Sequence, residues 1–140
     1  MARLYIDQAV VELINGLLSN ESETIPVYAG IVPNNVKEPY IIYQRVAGFK
    51  PARHINGPSI FGQTTFQIDV YSNNYLEVKR IADEIRQILD GYKGTVTINS
   101  DSIRIAGCSM VSERDSVEEN VEPKIYRASV DYDFMFQEGN

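Results

Sequence analysis

The chain has 140 residues, 44% of them hydrophobic and 23% charged, ordinary values for a globular protein rather than a disordered one. Its formal net charge of −6 argues against non-specific nucleic-acid binding, which needs a basic face to neutralise phosphates. The single cysteine, Cys108, excludes an intramolecular disulfide framework and suits a reducing compartment, and no apolar run approaches the ~20 residues of a membrane span.

In chain order, the spacing of Val10, Leu13, Ile14, Leu17 and Leu18 predicts a helix over 7–18, with Asp7 as its N-cap. A short extended piece follows at 25–28. Pro33, Asn34, Asn35 and Pro39 then mark a loop. Residues 40–46 read as a buried or central strand, too apolar at the start to alternate. The connection over 47–63 contains Gly48, Pro51, Gly57, Pro58 and Gly62, and it exceeds the usual ~2–5 residues of a hairpin loop. The next strand, 64–71, alternates cleanly: Phe66, Ile68 and Val70 face one way, Thr65, Gln67, Asp69 and Tyr71 the other.

Tyr75, Val78, Ile81, Ala82, Ile85, Ile88 and Leu89 form an apolar stripe and predict a second helix, capped by Asn73 or Asn74 and closed by a left-handed Gly91. A turn at 91–94 leads to a weaker strand over 95–98. The last third reads as a long hairpin with arms at 103–113 and 125–136. Tyr126, Ala128, Val130, Tyr132, Phe134 and Phe136 share one face of the second arm. The hairpin connection, 114–124, is strongly acidic.

This order predicts an α+β fold in one domain over 1–140. Its sheet is expected to be antiparallel, with a mixed sheet as the alternative, of four to five strands with two α-helices packed on one face.

Searches for chemistry end without a site. His54 is the sole histidine; a triad with Ser59 or Ser109 lacks a nucleophile motif, so His54 reads as a solvent-facing loop residue. Cys108 lies in a predicted strand, followed by apolar Met110, and reads as a small buried side chain. The acidic stretch lacks the alternating ligands and turn glycine of a calcium loop. The aromatic face of the last strand is also the natural core face, and no RNA-recognition motif accompanies it. No catalytic, cofactor-binding or metal-ligating residue is assigned, and no cofactor is expected. What remains is a pair of oppositely charged connections. The basic one carries Lys50, Arg53 and His54, with Phe49 and Phe61 beside them. The acidic one carries Glu113, Asp115, Glu118, Glu119 and Glu122. These ten residues are the candidate subunit or partner interface.

Three stretches resemble a known family. They are Pro39-Tyr40-Ile41-Ile42-Tyr43-Gln44-Arg45-Val46 with Gly48 entering the long connection; Gln67-Ile68-Asp69-Val70-Tyr71-Ser72 with Tyr75 and the Ile81-Ala82-Asp83-Glu84-Ile85 helix core; and the closing strand Tyr126-Arg127-Ala128-Ser129-Val130-Asp131-Tyr132-Asp133-Phe134. Together they resemble the tail completion or tail terminator family of long-tailed phages, which includes the SPP1-type proteins and has lambda minor tail protein U as a structural relative. The resemblance implies a structural, non-enzymatic subunit that self-assembles into a ring, usually a hexamer. Such a ring caps the tail tube, ends its polymerisation and offers a joining surface to the head-side connector. It implies the tail tube protein and the connector as partners, with no sequence-specific nucleic-acid binding and no membrane. Its place would be the virion tail, and the host cytoplasm during assembly. Two other readings stay open: another head–tail connector or tail-tube component, and a small-molecule-binding α+β domain.

Overall fold

The computed structural model describes residues 6–18, 25–31, 39–46, 52–54, 57–118 and 124–137. The elements run α1 (Ile6–Leu18), β1 (Val27–Ala29), β2 (Tyr40–Arg45), β3 (Ala52–His54), β4 (Gly57–Ser72), α2 (Tyr75–Leu89), β5 (Gly94–Ile98), β6 (Asp101–Glu118) and β7 (Ile125–Gln137). Among the described residues, seven strands build one sheet. Six lie in the order β1-β2-β4-β7-β6-β5, and β3 pairs with β4 beside that path.

The α+β class agrees with the sequence reading, but the strand count and the antiparallel expectation need correction. The sheet has seven strands, and it is mixed because β1 runs parallel to β2, pairing Val27 with Ile41. A three-residue strand has too little periodicity to reveal its direction. Strand length was also underestimated. The 47–63 connection contains β3 and the first half of β4, and 114–118 continue β6 rather than forming a loop. The cause is non-local. Phe61 pairs with Gln137 and Glu118 with Ile125, and these ladder bonds hold extended a glycine-rich stretch and a charged one with weak strand signals of their own. Pro58 is tolerated because, among the described residues, that part of β4 has only β3 as a partner.

The core lies on one face of the sheet. Phe66, Ile68 and Val70 of β4 and Ala128, Val130, Tyr132, Phe134 and Phe136 of β7 are all buried, and Phe66 meets Phe134 edge-on with ring centroids 5.7 Å apart. Onto this face α2 lays Val78, Ile81, Ala82, Ile85 and Leu89, and α1 adds Ile6, Ala9, Val10 and Ile14 to the same cluster. Asp7 is not the N-cap, since the helix already includes Ile6. It sits in the first turn, where a carboxylate suits the helix dipole, and accepts a hydrogen bond from Arg45 Nη2 at 3.0 Å. The expected loop residues Pro33, Asn34 and Asn35 lie outside the described residues.

Both ends of α2 are fixed. Asn74 is the N-cap, its Oδ1 accepting from the backbone N–H of Leu76 and Glu77. Gly91 takes a left-handed φ of 85°, and its N–H donates to the carbonyl of Cys108 at 2.7 Å. Asp90 Oδ1 accepts from the N–H of Met110 at 3.0 Å. The end of the helix is therefore bonded to β6 itself.

β6 carries two irregularities against β7, between Ile105 and Gly107 and between Met110 and Ser112. Each inserts one residue and exchanges the faces of the residues beyond it. Ile103 and Ile105 point to the core, then Cys108 and Met110, and after the second bulge Glu113, Asp115 and Val117. The same face of one strand is apolar at one end and acidic at the other.

Candidate subunit interface

Of the candidates the structure describes, Glu113, Asp115 and Glu118 lie at one end of the long β6–β7 pair, and Arg53, His54 and Phe61 lie at the other. β7 pairs Tyr126 with Val117 and with Ser72, whereas Gln137 pairs with Arg104 and with Phe61. The rise of a strand, ~3.4 Å per residue, separates these ends by roughly 35–40 Å. Among the described residues, the two charged segments therefore lie far apart within one chain.

At the acidic end the second bulge turns Glu113 and Asp115 toward α2. Lys79 of the helix donates to Asp115 Oδ2 at 3.0 Å and lies 3.6 Å from Glu113 Oε1. The hydrogen bond to Asp115 holds the Lys79 ammonium above the usual lysine range, against the opposing pull of desolvation. Both carboxylates remain exposed. An apolar group stands beside them: Leu76 is 75% exposed, Tyr75 46% and Val117 40%, and Tyr75 meets Tyr126 edge-on at 5.7 Å. Tyr75, expected in the core stripe, is thus exposed, and Leu76 and Val117 join it at the surface. Val117 could have been found by alternation with Asp115, but only with strand β6 extended past Glu113.

For Arg53, His54, Phe61 and Glu118 the structure describes the backbone alone, in β3, β4 and the end of β6; Phe49, Lys50, Glu119 and Glu122 lie outside the described residues. The triad idea gains nothing from the register. His54 pairs with Gly57, beyond the end of the β4–β7 ladder, while Ser109 pairs with Asp133, which accepts a hydrogen bond from Thr65 Oγ1. Cys108 is buried, and desolvation pushes its thiol up to about 12, so it is held protonated rather than reactive. Beside it a shallow depression of about 330 Å³ is lined by Gln63, Gly107, Ser109, Asp133 and Met135. Among the described residues no three His, Cys, Asp or Glu side chains are placed to hold a metal ion. No described helix is long and apolar enough to cross a membrane.

The described sheet thus carries acidic residues at one end and Arg53 and His54 at the other. The family model "Tail completion protein gp17" matches residues 1–137. The chain belongs to the tail completion protein gp17 family. A tail completion protein is a structural component of a viral tail, and its place is the virion tail. The fold is found again in a chain of the virion of a native gene transfer agent particle. That chain is 16% identical, with 94% of this chain and 92% of that one covered and a TM-score of 0.61. A second solved structure is 10% identical, covers 96% of this chain and 94% of its own, and also has a TM-score of 0.61. Among curated protein sequences none matches.

Proposed function

We propose that this tail completion protein acts as a single domain over 1–140 that closes into a ring, hexameric in its simplest form. The ring caps the tail tube, stops its growth and offers a joining surface to the head-side connector. It is not an enzyme and needs no cofactor. Its partners are copies of itself, the tail tube protein and the connector, and it assembles in the host cytoplasm. The observation that supports this reading best is the separation of opposite charge along one sheet. A ring requires a heterologous contact, in which one patch meets a different patch of the neighbour. Opposite charges at the two ends set the register and disfavour wrong pairings. The six interface candidates with a described backbone divide between those ends.

Tails assembled without the protein provide the test. Abnormally long tubes are expected. Tubes of normal length beside unattached heads would instead assign the protein to joining alone, as a connector component. At residue level, reversing Glu118 and Glu119 to Lys should abolish ring formation, measured by mass in solution, while leaving the thermal transition unchanged. Rings of wild-type mass from this double variant would remove the acidic arm from the contact.

A further inference from the structure

β6 is longer than the strand that covers it. β5 pairs with β6 only from Asp101 to Ile105. The turn after α2 then covers Cys108 and Met110, through the Gly91 N–H and the Asp90 carboxylate. From Val111 to Glu118, β6 has β7 on one side and no described backbone partner on the other. Alternate residues of an antiparallel strand turn N–H and C=O to each side, so this stretch presents a ladder ready for another strand.

A second incomplete edge lies across the molecule. Among the described residues β3 pairs only with β4, and at Phe61 the other side of β4 is taken by Gln137 of β7. β3 therefore stands on the β2 side of the sheet, and its other edge, with no described partner, points away from β7. The free edges of β3 and β6 face opposite lateral directions and sit at opposite ends of β7. That is the arrangement by which one subunit can extend the sheet of the next without using the same edge twice.

Charge selects between possible occupants of the β6 edge. The far half of β6 carries Glu113, Asp115 and Glu118 against Arg114, with Glu119 and Glu122 following. A second β6 laid against it would bring acidic side chains together, which is destabilising across a strand pair. β3 carries Arg53 and His54 and is preceded by Lys50.

We infer that the open edge of β6, residues 111–118, is completed by β3 of a second copy, so that strand addition joins neighbouring subunits into one continuous sheet. The inference rests on the ring reading and adds to it the pairing strands. Leu76, Tyr75 and Val117 form the apolar border of the contact, and backbone hydrogen bonds supply its register.

The test uses full-length chains in pairs. One chain carries Ala52→Cys, Arg53→Cys or His54→Cys; the other carries Ser112→Cys, Arg114→Cys or Ser116→Cys. Native Cys108 stays in both, buried and silent. Oxidation under assembly conditions should give disulfide dimers in the mixtures and little or none from either chain alone. Hydrogen exchange of the unmodified protein gives a second readout: amides within 112–118 should gain protection on assembly. Rings of wild-type mass with no mixed dimers and no new protection there would overturn the strand pairing and leave the ring intact. So would dimers formed chiefly by the β6 cysteine chain alone. Protein that stays monomeric even with tail tubes present would overturn the ring reading, and the pairing with it.

Discussion

The two halves of β6 share a strand and a partner but little else. From Asp101 to Met110 the strand is covered by β5 and the end of α2, with β7 on its other side from Arg104 onward, and it gives Ile103, Ile105 and Cys108 to the core. From Val111 onward the same backbone has one neighbour, and its helix-facing side chains are Glu113, Asp115 and Val117. The second bulge marks the change. It keeps the strand paired to β7 while shifting which residues face α2, so a sequence that would point Ser112 and Arg114 inward instead directs Glu113 and Asp115 to Lys79. Pairing with β7 thus continues where the core stops, so a strand can extend beyond the core it helps to build.

The sharpest way to break this comparison is to place the same charge in both halves. Ile105→Asp puts an unpaired carboxylate at a site with no solvent exposure and should cost more than ~4 kcal/mol, abolishing the cooperative thermal transition. Ile85→Asp on α2 should do the same. Val117→Asp, at 40% exposure, should keep the wild-type transition within about 1 kcal/mol and lose ring formation instead. Soluble, cooperatively folded Ile105→Asp protein would show that the near half is not core. An unfolded Val117→Asp would show that the far half is.

A smaller effect probes the boundary between the halves. Tyr132 pairs with Met110 at the second bulge; its ring is fully buried, and its hydroxyl has no described hydrogen-bond partner. Burial raises the pKa of that hydroxyl, so it stays protonated across the physiological range. Tyr132→Phe removes a stranded polar atom and should leave stability unchanged or raise it by up to ~1 kcal/mol in a denaturant titration. A clear loss would reveal a buried water bonded at the bulge.

The smallest effect belongs to the acidic arm. Lys79→Met removes the link to Asp115 and Glu113. Because those groups are exposed, it should cost only ~0.2–1 kcal/mol, less at high salt. The folded pKa of Lys79 is raised. Its contribution is therefore fully present below the unfolded lysine value of ~10.4 and is lost as pH rises through the folded pKa. The difference between wild type and Lys79→Met should shrink in that alkaline window. A difference that persists there, or that ignores salt, would mean that Lys79 acts through packing of its stem.

What was legible in the sequence was local and periodic. α2 follows from its apolar stripe, with its ends set by Asn74 and Gly91, and the core faces of β4 and β7 follow from alternation at even positions. Phe66, Val130 and Phe134 could be assigned to the core because period 2 and burial coincide there. The motifs that resemble the tail completion family are drawn from these same elements.

Other features escaped for physical reasons. Gly57, Pro58 and Gly62 have turn propensities, yet they stand in β4 because β3 and β7 supply backbone partners distant in the chain. Residues 114–118 have the composition of a solvated loop and are a strand for the same reason. The bulges in β6 left no local mark, so the meeting of Glu113 and Asp115 with Lys79 could not be read from spacing.

By itself, then, the sequence determined the two helices, the core face and the existence of two oppositely charged segments, because each depends on residue type and short-range period. The tertiary structure alone decided where the described parts of those segments lie and which strand edges have no described partner. Register between strands far apart in the chain, together with single-residue bulges, settles both, and neither is encoded within any one window of residues.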